Sequence, residues 1–103
     1  MGFSIEMPEK GGAVVGVRGN LVPAAVDCWF TSYGQSIPRM VKFQGEEGEI
    51  CRIRNFWVQD FESLHLAGTP LWKYTCRGES DGRVLRFCLY FYPEDGIWKI
   101  VFG

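Results

Sequence analysis

The C-terminal stretch "RFCLYFYPEDGIWKIVFG", from Arg86 to Gly103, decides the fold. Two runs of large apolar and aromatic residues flank "PEDG" (93–96), and a turn with acidic residues and glycine between such runs is typical of a β-hairpin. A strand with one face in water alternates apolar with polar residues, whereas this hairpin is apolar on both faces. We therefore expect either a covering layer on each face or one face that binds a partner.

The composition is that of one folded domain without a dominant charge. The chain has 103 residues, of which 47% are hydrophobic and 16% aromatic, and this is enough to build its own core. The formal net charge of -1 excludes binding to a polyanion through bulk positive charge, but not through a local basic patch. We predict a loose arm over residues 1–12 and a single β domain over residues 13–103.

The N-terminus carries no recognisable targeting signal. "MGFSIEMPEKGG" has neither the basic region nor the apolar run of a signal peptide, and it lacks the hydroxyl residue that myristoylation requires. No apolar run is long enough for a membrane-spanning helix. We therefore predict a cytoplasmic protein with no membrane contact.

Four cysteines, at positions 28, 51, 76 and 88, lie in predicted strands. None has CxxC spacing and the single histidine, His65, stands apart, so we predict no metal site and no cofactor. We interpret the cysteines as buried free thiols. Disulfides are the alternative, and they would require an oxidising compartment.

Glycine-rich turns divide the chain into strands. The clearest turns are "GEEG" (45–48), "GESDG" (78–82) and "PEDG", and the segments between glycines are rich in β-branched and aromatic residues. Short connections make successive strands antiparallel neighbours. The predicted strands cover residues 13–18, 26–33, 38–44, 49–58, 71–77, 83–92 and 97–102.

Two segments are compatible with a helix as well. In residues 22–33 the apolar residues fall at helical spacing, but the β-branched and aromatic content of "VDCWFTSY" favours a strand. In "QDFESLHLAG", Asp60 is placed to cap a short helix that ends before Gly68, and we predict that helix near residues 60–66.

The turns set registers that sort the C-terminal strands onto two faces. We pair Arg77 with Arg83, and Tyr92 with Ile97. The predicted core face consists of Leu71, Leu85, Phe87, Leu89, Phe91, Trp98, Ile100 and Phe102. The opposite face mixes aromatic with basic side chains, and it consists of Trp72, Tyr74, Cys76, Val84, Arg86, Cys88, Tyr90, Tyr92, Lys99 and Val101.

The aromatic and basic face is the predicted binding site. Tyr and Trp suit a half-wet surface, and Arg and Lys interact favourably with aromatic rings. The expected partner is a protein or single-stranded nucleic acid. The alternatives are that the chain itself covers this face or that a second copy covers it in a homodimer. The predicted partner-binding residues are Trp72, Tyr74, Arg86, Tyr90, Tyr92 and Lys99.

Basic residues fall mostly within the predicted strands, and acidic residues mostly in the turns. A nearly neutral chain can therefore carry a basic sheet face with acidic rims. Arg52 and Arg54 share one face of their strand. They either protect a sheet edge from pairing or contact a ligand.

The predicted fold is all-β, a strongly bent antiparallel meander that curls into a small SH3-like or OB-like barrel. Such a barrel allows a second function, the enclosure of a small apolar ligand in a cavity lined by Phe87, Leu89 and Trp98. A self-associating structural domain is a further alternative.

The sequence contains no persuasive catalytic motif, and we predict that the protein is not an enzyme. His65 has no evident acid or nucleophile beside it, apart from Asp60 and Glu62 in "QDFESLH". An active site built from these three residues is the weakest alternative.

Residues 27–58, "DCWFTSYGQSIPRMVKFQGEEGEICRIRNFWV", and the later "FCLYFYPEDGIWKI" place strands and turns in a recognisable order. The order runs through a glycine turn, Ile37-Pro38, an acidic glycine turn and a closing hairpin with Trp98. It resembles that of small bacterial proteins, many from Firmicutes, that carry no established activity. The resemblance implies a compact β fold. Because some of those proteins accompany DNA-repair or mobile-element genes, it also implies a role linked to nucleic acid.

Overall fold

A computed structural model describes residues 20–103, which form one antiparallel sheet of seven strands. The all-β antiparallel meander is confirmed, and residues 22–33 are a strand and turn, as preferred. The predicted arm 1–12 and strand 13–18 lie outside the described residues. The strands are β1 Val22–Phe30, β2 Ser36–Gln44, β3 Ile50–Ile53, β4 Phe56–Leu66, β5 Thr69–Ser80, β6 Arg83–Tyr92 and β7 Ile97–Phe102.

The strand order across the sheet is β3-β2-β1-β7-β6-β5-β4. Strands that follow one another in sequence pair with each other, and β1 pairs with β7, but β3 does not pair with β4. These two strands are the edges of the sheet. The sheet is not closed, so the predicted SH3-like or OB-like barrel was wrong, and so was the single strand predicted over 49–58.

The two edge strands are joined by only two residues, Arg54 and Asn55. A link of this length spans at most about 11 Å between the flanking Cα atoms, so the sheet must curl until its edges meet at this corner. The Glu79 N–H donates to the Asn55 carbonyl at 3.1 Å, and the Phe56 N–H donates to the Arg54 carbonyl at 3.2 Å. The curl gives the sheet an inner face, which holds most of the core.

Two hairpins use tight turns in which both central residues have positive φ. Ala67 and Gly68 have φ of 52° and 85°, and Asp81 and Gly82 have φ of 54° and 77°. Such two-residue turns match the twist of the flanking strands. Because the turn at Ala67 is so short, β4 continues to Leu66, and the predicted helix over 60–66 was wrong.

The turn at Asp81–Gly82 also sets the register of β5 against β6. Ser80 pairs with Arg83, and Arg77 therefore pairs with Arg86 instead of with Arg83 as predicted. The difference is three residues. Since an odd shift moves every side chain of a strand to the opposite face, the predicted faces of β5 were wrong.

The register of β6 against β7 agrees with the prediction, because Tyr92 pairs with Ile97. Both faces of this hairpin are apolar because each face contributes to a buried cluster. The main cluster, on the inner face, consists of Val41, Phe43, Cys51, Ile53, Tyr74, Cys76, Leu85, Phe87, Leu89 and Ile100. The smaller cluster, on the outer face, consists of Leu71, Tyr90 and Val101.

Ala67 is one of two non-glycine residues with positive φ among those described. The left-handed conformation costs an alanine about 1–2 kcal/mol, whereas asparagine tolerates it better. We expect Ala67→Asn to raise the free energy of unfolding by about 0.5–1 kcal/mol, measured by urea denaturation. Ala25→Asn, at an exposed position in the extended strand β1, is the control and should give no increase.

Gly78 allows the corner between β3 and β4 to approach β5. A methyl group at this position would lie 2.5 Å from the Asn55 carbonyl oxygen and 2.9 Å from the Phe56 Cβ. We expect Gly78→Ala to lower the free energy of unfolding by about 1–3 kcal/mol, because the backbone must shift to admit the methyl group. In Gly45→Ala the new methyl meets only the flexible Glu49 side chain, and a similar loss in this variant would contradict the explanation.

Candidate functional site

Two of the predicted partner-binding residues lie on the inner face of the curled sheet. Trp72 pairs with Phe91 and Tyr74 pairs with Leu89, so their side chains point the same way as those core residues. The prediction that Trp72 and Tyr74 share a surface with Arg86 was wrong. The cause is the shift of the β5 register described above.

The other four predicted residues lie on the outer face but do not form a continuous aromatic surface. Tyr90 is buried, with 3% of its surface exposed, and burial raises the pKa of its hydroxyl to about 12. Tyr92 and Lys99 are half-buried, and the Lys99 Nζ lies 5.4 Å from the centre of the Tyr92 ring. Arg86 is exposed. A role in partner binding stays a prediction for these residues.

An open cleft lies in the gap between β2 and β4. Its volume is about 860 Å³, which is within the range of pockets that hold small organic ligands. Polar and basic side chains in its lining include Gln35, Ser36, Arg39, Arg54 and Ser63. The aromatic lining consists of Phe30, Phe56, Trp57, Phe61, Trp72 and Tyr74.

The cleft exists because β3 is much shorter than the strands around it. β3 pairs with residues 41–44 of β2, and residues 36–40 have no neighbour on that side within the described part of the chain. Pro38 lies in this uncovered half and has no N–H to donate. A proline is tolerated there because that half of β2 is an edge.

A β-bulge in β2 lies at Arg39, on one wall of the cleft. Asp27 pairs with Met40 and Cys28 pairs with Pro38, so Arg39 is the additional residue on β2. Bulges change the direction of a side chain. The Arg39 guanidinium lies 4.1 Å from the centre of the exposed Trp29 ring. Because Trp29 is on the opposite face of the sheet from Phe30 and Ser36, this cation lies at the outer rim of the cleft.

A second bulge, in β4, decides which side chains enter the cleft from the other wall. Val58 pairs with Cys76 and Asp60 pairs with Thr75, so Gln59 is the additional residue. After this bulge the alternation of β4 changes phase. Aromatic and hydroxyl side chains (Phe61 and Ser63) consequently face the cleft, whereas the carboxylates of Asp60 and Glu62 face outward.

The floor of the cleft is a rigid aromatic and hydroxyl surface. The Tyr74 hydroxyl and the Ser36 Oγ are hydrogen-bonded at 2.6 Å, and burial raises the pKa of Tyr74. The Tyr74 ring packs edge-on against Phe61 at 5.1 Å and lies 5.5 Å from Trp98. The floor is therefore neutral, and it offers flat apolar contact with one polar point.

The charge of the cleft is positive. Arg39 and Arg54 line it, and none of the described residues that line it is acidic. The sequence already indicated Arg54 as a candidate for ligand contact, because arginines are frequent in the predicted strands. It contains no recognisable local signal for the bulges at Arg39 and Gln59. The arrangement suits an anionic group held by guanidinium and an apolar or aromatic part held by the rings.

The cleft does not include the residues of the other two sites that the sequence suggested. Phe87 and Leu89 are fully buried core residues and do not line the cleft, so the ligand cavity expected around them and Trp98 stays a prediction.

His65 is exposed near the end of β4 and does not line the cleft. It lies an odd number of residues from Asp60, beyond the bulge, so the two side chains occupy opposite faces. The geometry removes the alternative of an active site that combines His65 with Asp60 or Glu62. Within residues 20–103, no cluster of three or more histidine, cysteine, aspartate or glutamate side chains is arranged to hold a metal ion.

All four cysteines are free thiols, as preferred from the sequence. Cys51 and Cys76 are buried, whereas Cys28 and Cys88 are half-buried. Burial raises the pKa of each thiol, and it raises that of Cys76 to about 12. These side chains therefore serve packing and are poor nucleophiles at neutral pH.

Comparison of the chain with protein-family models, with curated proteins and with solved structures finds no match in any of the three. The resemblance to small bacterial proteins therefore stays a prediction. In the described part of the chain, no helix is long and apolar enough to span a membrane.

The raised pKa of Cys76 predicts its reactivity. At pH 8 only about one Cys76 thiol in ten thousand is ionised in the folded protein, against about one in ten for a thiol with a pKa of 9. We expect iodoacetamide to modify Cys76 no faster than the protein unfolds, with half-buried Cys28 as the internal comparison. The measurement is mass spectrometry of peptides from time points. Rapid alkylation of Cys76 in the folded protein would contradict this environment.

Proposed function

We propose that this protein is a binding module that holds an anionic ligand with apolar or aromatic groups in the cleft between β2 and β4. The observation that carries the proposal is the combination of six aromatic residues with Arg39 and Arg54 in the lining, without an acidic residue among the described lining. The module acts by binding and not by catalysis. Its partner classes are those expected from the sequence, a protein or a single-stranded nucleic acid.

Aromatic and arginine side chains would contribute to binding in different ways. Phe61, which faces the cleft, is 48% exposed, so a ligand that covers it removes apolar surface from water. Covering a large side chain contributes about 1.5–3 kcal/mol at most. The guanidinium groups of Arg39 and Arg54 then select ligands by charge, since a neutral ligand gains nothing from them.

The predicted cytoplasmic location is part of this proposal. Four unpaired cysteines in one small domain suit a reducing compartment, because extracellular domains of this size commonly oxidise such thiols to disulfides.

A pair of related dyes tests the cleft and its charge preference. Anilinonaphthalene sulfonate is anionic and phenylnaphthylamine is its neutral counterpart, and both fluoresce when they enter an apolar site. We expect the double variant Arg39→Gln/Arg54→Gln to bind the anionic dye about threefold to tenfold more weakly. The affinity for the neutral dye should stay unchanged.

The matched control is Arg83→Gln/Arg86→Gln, which removes two exposed arginines that do not line the cleft. This variant should bind both dyes as the wild type does. Equal affinity of the wild type and the cleft variant for the anionic dye would refute the proposal.

A further inference from the structure

We propose that the ligand of the cleft is an extended segment of another protein, which adds as a strand to the free edge of β4. The inference rests on the proposed function of the cleft, and it names the class of ligand. Both walls of the cleft are strand edges. β4 is an outermost strand of the sheet, and residues 36–40 of β2 lack a partner toward β4 in the described chain.

Apart from the bulge at Gln59, near one end of the strand, the edge of β4 lacks the usual protection against strand addition. It is eleven residues long, from Phe56 to Leu66, and it contains no lysine, arginine or proline, the residues that commonly block edge pairing. It also exposes Trp57, Phe61 and Leu66. Main-chain donors and acceptors of such an edge supply affinity for an extended peptide, and alternate side chains supply specificity.

The two faces of β4 define the side chains of that peptide. On the cleft side the peptide would meet Phe61 and the lining residue Arg54, with Arg39 at the outer rim. On the opposite side it would meet the carboxylates of Asp60 and Glu62. The matching segment alternates apolar or acidic residues, which face the cleft, with basic residues, which face outward.

The same carboxylates argue against two other occupants. If a second copy paired with β4 across a two-fold axis, Asp60 and Glu62 of each chain would approach the same acidic pair of the other, which is unfavourable. A nucleic-acid backbone lying along this edge would meet the same repulsion.

Synthetic peptides test the inference with isothermal titration calorimetry on the intact protein. The probe KFKEKFKEK has the required alternation, and KKKKKFFEE has the same composition without it. We expect the alternating peptide to bind and the block peptide to bind at least tenfold more weakly. Two further versions of the alternating peptide carry N-methyl groups on every second residue, one on the lysines and one on the phenylalanines and glutamates. Each removes the main-chain donors of one peptide edge, and at least one version should lose binding.

A charge reversal identifies the outward face. We expect Asp60→Lys to weaken binding of KFKEKFKEK by about threefold to tenfold and to improve binding of the version in which glutamate replaces each lysine. Asp60 does not line the cleft, so binding of anilinonaphthalene sulfonate should stay unchanged and reports that the fold and the cleft are intact. The control Glu94→Lys, in the β6–β7 turn, should leave both peptide affinities unchanged.

Each other result overturns the inference. Equal binding of the alternating, block and both N-methylated peptides would show a contact that does not use the main chain. Binding of the dye without binding of any peptide would overturn strand addition and leave the proposed function standing. Displacement of the dye by an oligothymidylate but not by the peptides would favour a nucleic acid. A concentration-dependent mass in light scattering, together with no peptide binding, would favour a second copy.

Discussion

The rest of the structure depends on the two-residue link between the edge strands. Arg54 and Asn55 join β3 to β4, although these strands lie at opposite ends of the sheet order. So short a link is compatible with a seven-stranded sheet only if the sheet curls, and curling converts one of its faces into an interior. Gly78 permits this geometry, because the Asn55 carbonyl occupies the space that a side chain at Gly78 would need.

The curl alone would produce a closed barrel, and the length of β3 prevents this. Its four residues cover less than half of β2, so the edges that meet at the corner separate from there onward. The opening exposes the inner aromatic residues near β4, whereas the inner aromatic residues further from the gap between β2 and β4 are packed in the core. Trp72 lies at this boundary, between Phe61 at 6.1 Å on the cleft side and Phe91 at 5.3 Å on the core side. The cleft is thus continuous with the core, and it is the part of the inner face that no strand covers.

The sequence was sufficient for the fold class and the hairpin that closes the chain, but not for the site. Apolar runs separated by glycine turns predict strands regardless of the exact register. The faces of β5 depend on whether the turn before β6 has two residues or five, and "GESDG" allows both until the positive φ of Asp81 and Gly82 is known. Trp72 and Tyr74 were therefore assigned to the wrong face, and although both line the cleft, their role in partner binding stays a prediction. Nothing local in "IPRM" or "WVQDF" reports a bulge, since a bulge arises from pairing with a distant strand.

The bulge in β4 helps to explain how a chain with a net charge of -1 can present a cleft lined by arginines and no described acidic residue. If Gln59 were an ordinary strand residue and not an additional one, regular alternation from Val58 would turn Asp60 and Glu62 toward the cleft. The charges would then compensate one another inside it. With the bulge, the carboxylates lie on the outer face, where water solvates them and Lys73 pairs across from Glu62. The bulge at Gln59 therefore separates the charges by face, and the proposed preference of the cleft for anionic ligands depends on this separation.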